Sequence, residues 1–208
     1  DVESIHFYVN EIPVDLNFLT ENELADFEGM DSFHQIALND GWVIHDPSGA
    51  VTSLLNNIRT ADNCPLRVER SDHDTAFTRH GHRHVLDKIR NRKDSMPVFC
   101  RFLLNANIYW LICSYFRVRR IHYKGEKHAI NFLQKHEPGV YNLIERFYST
   151  LEIGELMNIT IDLSNSILAP VDGIWQNGEV LAFGDKSGVG LREKGMAFYR
   201  SLFAGAVL

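Results

Sequence analysis

The stretch MPVFCRFLLNANIYWLICSYFRV, Met96 to Val118, decides the fold of this chain. It is the most apolar run in the sequence, and its length would suit a membrane span. Yet it carries Arg101, Asn105, Asn107 and Arg117, which a hydrocarbon interior disfavours. Pro97 stands where the first turn of a helix tolerates it, because the missing N–H would have no intrahelical partner there. The run therefore predicts a buried helix in a protein core.

Its surroundings extend that reading. From about Asp74 to Ile167 no segment alternates like a strand. Apolar residues recur at helical spacing over about 74–92, 126–136, 140–151 and 153–167, and Glu137-Pro-Gly139 separates two of these helices. Together they predict a helical bundle. The amino-terminal part is different. Ser4–Val9 and Ile12–Leu19 read as two strands joined by a tight Asn10-Glu11 turn. Thr20-Glu-Asn-Glu23 is a capping box with a helix expected through about Phe27. Ser32–Asn39 predicts a short helix, Trp42–His45 a short strand, and Ala50–Arg59 an amphipathic helix with Val51, Leu54, Leu55 and Ile58 on one side. In the tail, Asn177-Gly178 between apolar runs predicts a hairpin over Gly173–Phe183, and Leu191–Phe203 a helix. The expected fold class is α+β: a partial sheet with helices, then a helical bundle, then a carboxy-terminal hairpin plus helix.

Composition narrows the function. Apolar residues make up 45% and charged residues 23% of the chain, the proportions of a globular domain. A net charge of −6 and a pI near 5.9 argue against broad, charge-driven nucleic-acid binding. Three scattered cysteines (Cys64, Cys100, Cys113) give neither a disulfide framework nor a cysteine zinc site. With no apolar leader at Asp1 and no membrane span, a cytoplasmic setting and no membrane partner are expected.

The segment SDHDTAFTRHGHRH, Ser71 to His84, invites a metal reading. On a helix His80 and His84 share a face while His82 points elsewhere. No zinc-enzyme spacing such as H-E-x-x-H occurs, and Arg79 and Arg83 would repel a cation. The simplest expectation is a polar, solvated helix start. A metal hydrolase built on His73, His80, His82 and His84 stands as a weaker alternative. Asp72 and Asp74, two residues apart, would suit magnesium on a strand, but here they precede a helical pattern.

The strand Val14-Asp-Leu-Asn-Phe18 puts Asp15 and Asn17 on one face and Val14, Leu16 and Phe18 on the other. Hairpin, this strand, helices, the run GWVIHDPSG (Gly41–Gly49) and a helical bundle follow in an order that resembles the nucleotidyltransferases of the DNA polymerase beta superfamily, particularly the small bacterial type related to antibiotic nucleotidyltransferases. The resemblance covers roughly residues 3–150. FRVRRIHYKGEK, Phe116 to Lys127, is similar to the family run that follows a long apolar helix, with Arg119 in place of the usual Asn and Gly125 near the usual Pro. The family's Gly-Ser turn and Asp-x-Asp strand have no counterpart before Asp15, which implies a truncated enzyme or a degenerate homologue.

What the resemblance implies is specific. Residues 1–65 are the carboxy-terminal part of a nucleotidyltransferase catalytic domain, 66–157 a substrate-binding bundle, and 158–208 a tail. Asp15 is the third catalytic carboxylate and a ligand of Mg2+, with Asn17 beside it. Lys127 meets nucleotide phosphate near a helix start, and Tyr123 stacks on a base. The partners are a nucleoside triphosphate and a small hydroxyl-bearing substrate. Arg101, Asn105 and Tyr109 form a polar stripe at i, i+4 spacing that lines the cleft or bonds to a neighbouring helix. Asp46 is read as a turn cap. One carboxylate does not assemble a two-metal centre, so this chain alone is expected to be inactive. The alternative is a non-catalytic module that binds a nucleotide or a protein.

Overall fold

The computed structural model describes residues 4–26, 32–60, 71–182 and 191–202. The chain divides into two compact units, residues 1–67 and 68–208. Helices dominate, and the strands form one two-stranded antiparallel sheet among the described residues.

Unit 1 begins with that hairpin, β1 (Ser4–Val9) and β2 (Ile12–Asn17). Asn10 and Glu11 both have positive φ, 49° and 65°, as a two-residue turn matched to the strand twist requires. The turn fixes the register, so His6 faces Asp15, Phe7 faces Val14 and Ile5 faces Leu16. Period-two alternation then puts Ser4, His6, Tyr8, Pro13, Asp15 and Asn17 on one face, polar at the end away from the turn, and Ile5, Phe7, Val9, Ile12, Val14 and Leu16 on an apolar one.

Thr20 starts α1 (Glu21–Ala25) with the expected capping box to Glu23. α1 ends at Ala25, with Asp26 already off the helical conformation (φ −94°, ψ 57°), and Phe27 lies outside the described residues. α2 (Ser32–Asp40) and α3 (Ala50–Thr60) pack around Leu55, with Leu38, Val51 and Leu54. Arg59 joins them, giving its guanidinium to the carbonyls of Leu38, Asn39 and Gly41 at the end of α2, where carbonyls lack intrahelical donors. The strand expected at Trp42–His45 does not form. These residues lie in an exposed connection, with Trp42 at 93% and Ile44 at 98% exposure. No neighbouring strand is offered to them among the described residues, and β propensity alone does not make a ladder.

Unit 2 is the bundle: α4 (Asp72–Arg90), α5 (Pro97–Val118), α6 (Glu126–His136), α7 (Pro138–Ser149) and α8 (Ile153–Leu168), then a 3-10 turn at Ala169–Val171 and α9 (Leu191–Leu202). α5 packs against α4 and α8, and α7 against α6 and α8. Leu104, Ile108, Leu111 and Phe116 of α5 meet Leu163 and Ile167 of α8 in one continuous core. Pro138 opens α7 and ends α6, because the residue before a proline avoids the helical region. α8 runs unbroken through residue 158, so the tail expected from there begins with the end of that helix. No described helix is long and apolar enough to cross a membrane.

Two expectations for unit 2 are corrected. The start of α4 is not uniformly solvated: Arg79 and His82 are buried, the latter completely. The hairpin over Gly173–Phe183 does not pair among the described residues, although Gly178 adopts a φ of 87° in a turn. Arg79 explains both. Its guanidinium donates to the carbonyls of Gly173, Asp172 and Ile174 and forms a two-pronged pair with Glu179 at 2.6 and 3.0 Å. Groups that a β ladder would use are bound to a cation instead, and the segment wraps around it.

Candidate functional site

Each unit carries part of the predicted constellation. On the hairpin, Asp15 accepts from His6 Nδ1 at 2.6 Å, and Ser4 Oγ lies 3.2 Å from His6 Nε2. Asn17 is the next residue on that face. His6 and Asp15 are 63% and 65% exposed, so water screens the pair and it contributes little to stability. The order Ser4–His6–Asp15 imitates a hydrolase triad, but so open a row cannot exclude water or hold an oxyanion. Sequence reasoning overlooked His6. Its signal was available: once Asn10-Glu11 is the turn, pairing outward sets residue 6 opposite residue 15.

Asp46 behaves as the turn cap expected. Its carboxylate accepts from the backbone N–H and the hydroxyl of Thr52 at 2.8 and 2.9 Å, and from Ser48. The Thr52 N–H is the main cause that holds its pKa below the usual range.

In the bundle the stripe on α5 bonds within the protein. Arg101 donates to the carbonyl of Leu151 between α7 and α8, Asn105 donates to the carbonyl of Arg101, and the Tyr109 hydroxyl reaches Glu126 at 3.3 Å. Tyr123 is half-buried, edge-on to Tyr109 (6.5 Å) and to Phe116 (5.8 Å). Burial pushes its phenol pKa up, and its buried oxygen makes no hydrogen bond among the described residues. Tyr109, 49% exposed, is the more accessible ring of this corner. Lys127 is exposed, with no ion pair among the described residues. It is the second residue of α6, whose first turn has no side-chain cap. Free amides and the helix dipole favour an anion at such a terminus. Arg119, at the family's Asn position, ties the end of α5 to α8. Its guanidinium lies 3.9 Å over the Tyr115 ring and donates to the Ile167 carbonyl.

The acidic and histidine-rich residues of α4 separate into distinct roles. Asp74 closes a capping box with Ser71, whose hydroxyl keeps its pKa low. His80 and His84 stack with parallel rings 6.0 Å apart. His82 sits between α4 and α5. Its Nδ1 is 2.8 Å from Asn107 Oδ1, and its Nε2 3.0 Å from Ser114 Oγ. An amide oxygen only accepts, so Nδ1 carries the proton and Nε2 accepts from the serine. Burial drives the His82 pKa down to about 4, with the Asn107 bond opposing it. The ring is neutral at pH 7. Ser114 and His82 are both buried, so this second triad-like row has no substrate access. It holds two helices together. Among the described residues no group of three His, Cys, Asp or Glu side chains is placed to hold a metal.

Comparison of the chain with protein-family models, with curated proteins and with solved structures returns no match.

Proposed function

We propose that this chain is part of a nucleotidyltransferase of the DNA polymerase beta superfamily, an enzyme that moves a nucleoside monophosphate from a triphosphate to a hydroxyl acceptor. The observation that carries the reading is the hairpin. β2 displays Asp15 and Asn17 on a polar face whose reverse is unbroken apolar surface. That is the design a strand needs when one side meets a core and the other meets substrate.

Such enzymes use Mg2+, which draws charge from the phosphate and from the attacking and leaving oxygens. Among the described residues no three His, Cys, Asp or Glu side chains are placed to hold a metal ion. Asp15 is a single carboxylate, with one oxygen bonded to His6. In this reading the further carboxylates belong to a preceding Gly-Ser and Asp-x-Asp segment. Within the chain, Asp15 receives the proton of the acceptor hydroxyl. His6 fixes the orientation of that carboxylate, and Asn17 offers an amide to the substrate. Unit 2 by itself offers Lys127 and the open amides of α6, groups that suit phosphate charge, with Tyr109 near them.

A second reading is a nucleotide-binding module without catalysis, favoured by the uncapped start of α6 beside Lys127. The coding sequence upstream of Asp1 distinguishes the two. A Gly-Ser turn and an Asp-x-Asp strand there, with loss of Mg2+-dependent pyrophosphate release on Asp15→Asn in the encoded protein, would support the enzyme. A start codon at this point with no such segment would leave the binding module. Pyrophosphate release by the 208-residue chain alone would refute the division of ligands.

A further inference from the structure

Unit 2 contains a cavity of about 590 Å3 lined by none of the residues assigned above to nucleotide chemistry. Its walls are the first two turns of α4, the segment 171–182 and α9. Pockets of several hundred Å3 are the size that small organic ligands occupy.

The walls are held in place. Arg79 binds three consecutive carbonyls, Asp172 to Ile174, and the Glu179 carboxylate. This sets the path of the segment that forms one side. α9 closes in through Gly195, where a Cβ would stand only 2.9 Å from Ala182 Cβ and 3.0 Å from Val180 Cγ1. A side chain there would push α9 out and open the cavity.

The lining has two parts. Trp175, Val180 and Met196 give an apolar wall. Asp72, Asp172 and Glu193, all three exposed, line the cavity as well, and their carboxylates make no ion pair or side-chain hydrogen bond among the described residues. Among the described residues the basic groups that line it are Arg79 and His73. Arg79 is already neutralised by Glu179. An acidic set with no partner among the described residues, beside an apolar surface, disfavours phosphate and carboxylate ligands and attracts cations.

We propose that this cavity binds a small organic diamine, with its apolar body against Trp175 and Met196 and its ammonium groups toward Asp72, Asp172 and Glu193. A bare metal ion would leave the apolar wall unused, and an uncharged ligand would leave the carboxylates unanswered. The site is independent of the nucleotidyl-transfer reading.

The test is calorimetric titration of the 208-residue chain with 1,4-bis(aminomethyl)benzene, alongside its isosteric diol, 1,4-bis(hydroxymethyl)benzene. Saturable binding of the diamine is expected, with the diol at least about tenfold weaker. The paired variant Asp172→Asn, Glu193→Gln should weaken the diamine by about tenfold or more. Asn tolerates the left-handed backbone of residue 172 (φ 65°), and an unchanged circular dichroism spectrum verifies folding. Asp162→Asn, which removes an exposed charge of α8 outside the cavity, should leave the affinity unchanged. Absence of saturable binding overturns the proposal. So does equal affinity for the diol, unaltered binding in the paired variant, or an equal loss in Asp162→Asn.

Discussion

Phe116 in α5 is fully buried, whereas Phe7 in β1 is 39% exposed, and Ile5, Val9, Ile12 and Leu16 around Phe7 are more exposed still. The bundle completes its own core. The hairpin does not: its apolar side chains stay largely exposed, and two strands by themselves are marginal in water. The contrast separates two kinds of apolar surface. In the bundle it supplies stability. In the hairpin it is a surface that needs another element against it.

Four measurements would break or sharpen this contrast. The largest effect belongs to the bundle: Phe116→Ala should cost about 3–5 kcal/mol through lost burial and a residual cavity, seen as a lower urea midpoint by circular dichroism. A loss below about 1 kcal/mol would mean that α5 is not the centre of the fold. Next is pH. The folded pKa of His82 lies near 4, against about 6.5 when unfolded. Between those values the unfolded chain binds the additional proton, so this contribution is fully present above pH 6.5 and is lost as the pH falls toward 4. The difference is about 3 kcal/mol. The change in urea midpoint from pH 7 to pH 4.5 should shrink in His82→Gln; an identical change would show that His82 is not the group responsible.

Third, Gly81→Ala should cost about 1–3 kcal/mol by overpacking, because its Cβ would stand 2.1 Å from Trp110 Cη2. Altered tryptophan emission should accompany the loss. The smallest effect belongs to the hairpin. Phe7→Ser should move the helical unfolding transition by less than about 0.5 kcal/mol, and a larger shift would place hidden stability in β1.

How much of this was legible in sequence followed the range of the interactions. The capping box at Thr20, the proline boundary at Pro138, the Asn10-Glu11 turn and the two-faced β2 rest on neighbours within a few residues, and these were readable. The buried state of Arg79 and His82 was not. Their partners are remote: Gly173 and Glu179 for one, Asn107 and Ser114 for the other. Read locally, the histidine-rich run is simply polar. Asn177-Gly178 failed as a hairpin signal for the same reason, since a guanidinium from α4 takes the groups that strands would have paired. The site divides likewise. The placement of Asp15 and Asn17 came from strand periodicity, while His6 required the pairing register, and the packing of Tyr123 against Phe116 and Tyr109 required the bundle.

The bond between Arg79 and Glu179 joins positions 100 residues apart. During synthesis α4 to α8 are complete in sequence before residue 179 is made. Chain growth therefore offers the helices a period in which to assemble with the guanidinium of Arg79 still unanswered. Closing so long a loop is favourable only after those helices have brought its ends near each other. The carboxy-terminal segment should consequently dock last in folding, and a nascent chain arrested before residue 172 would carry a bundle with an unmatched cation on α4.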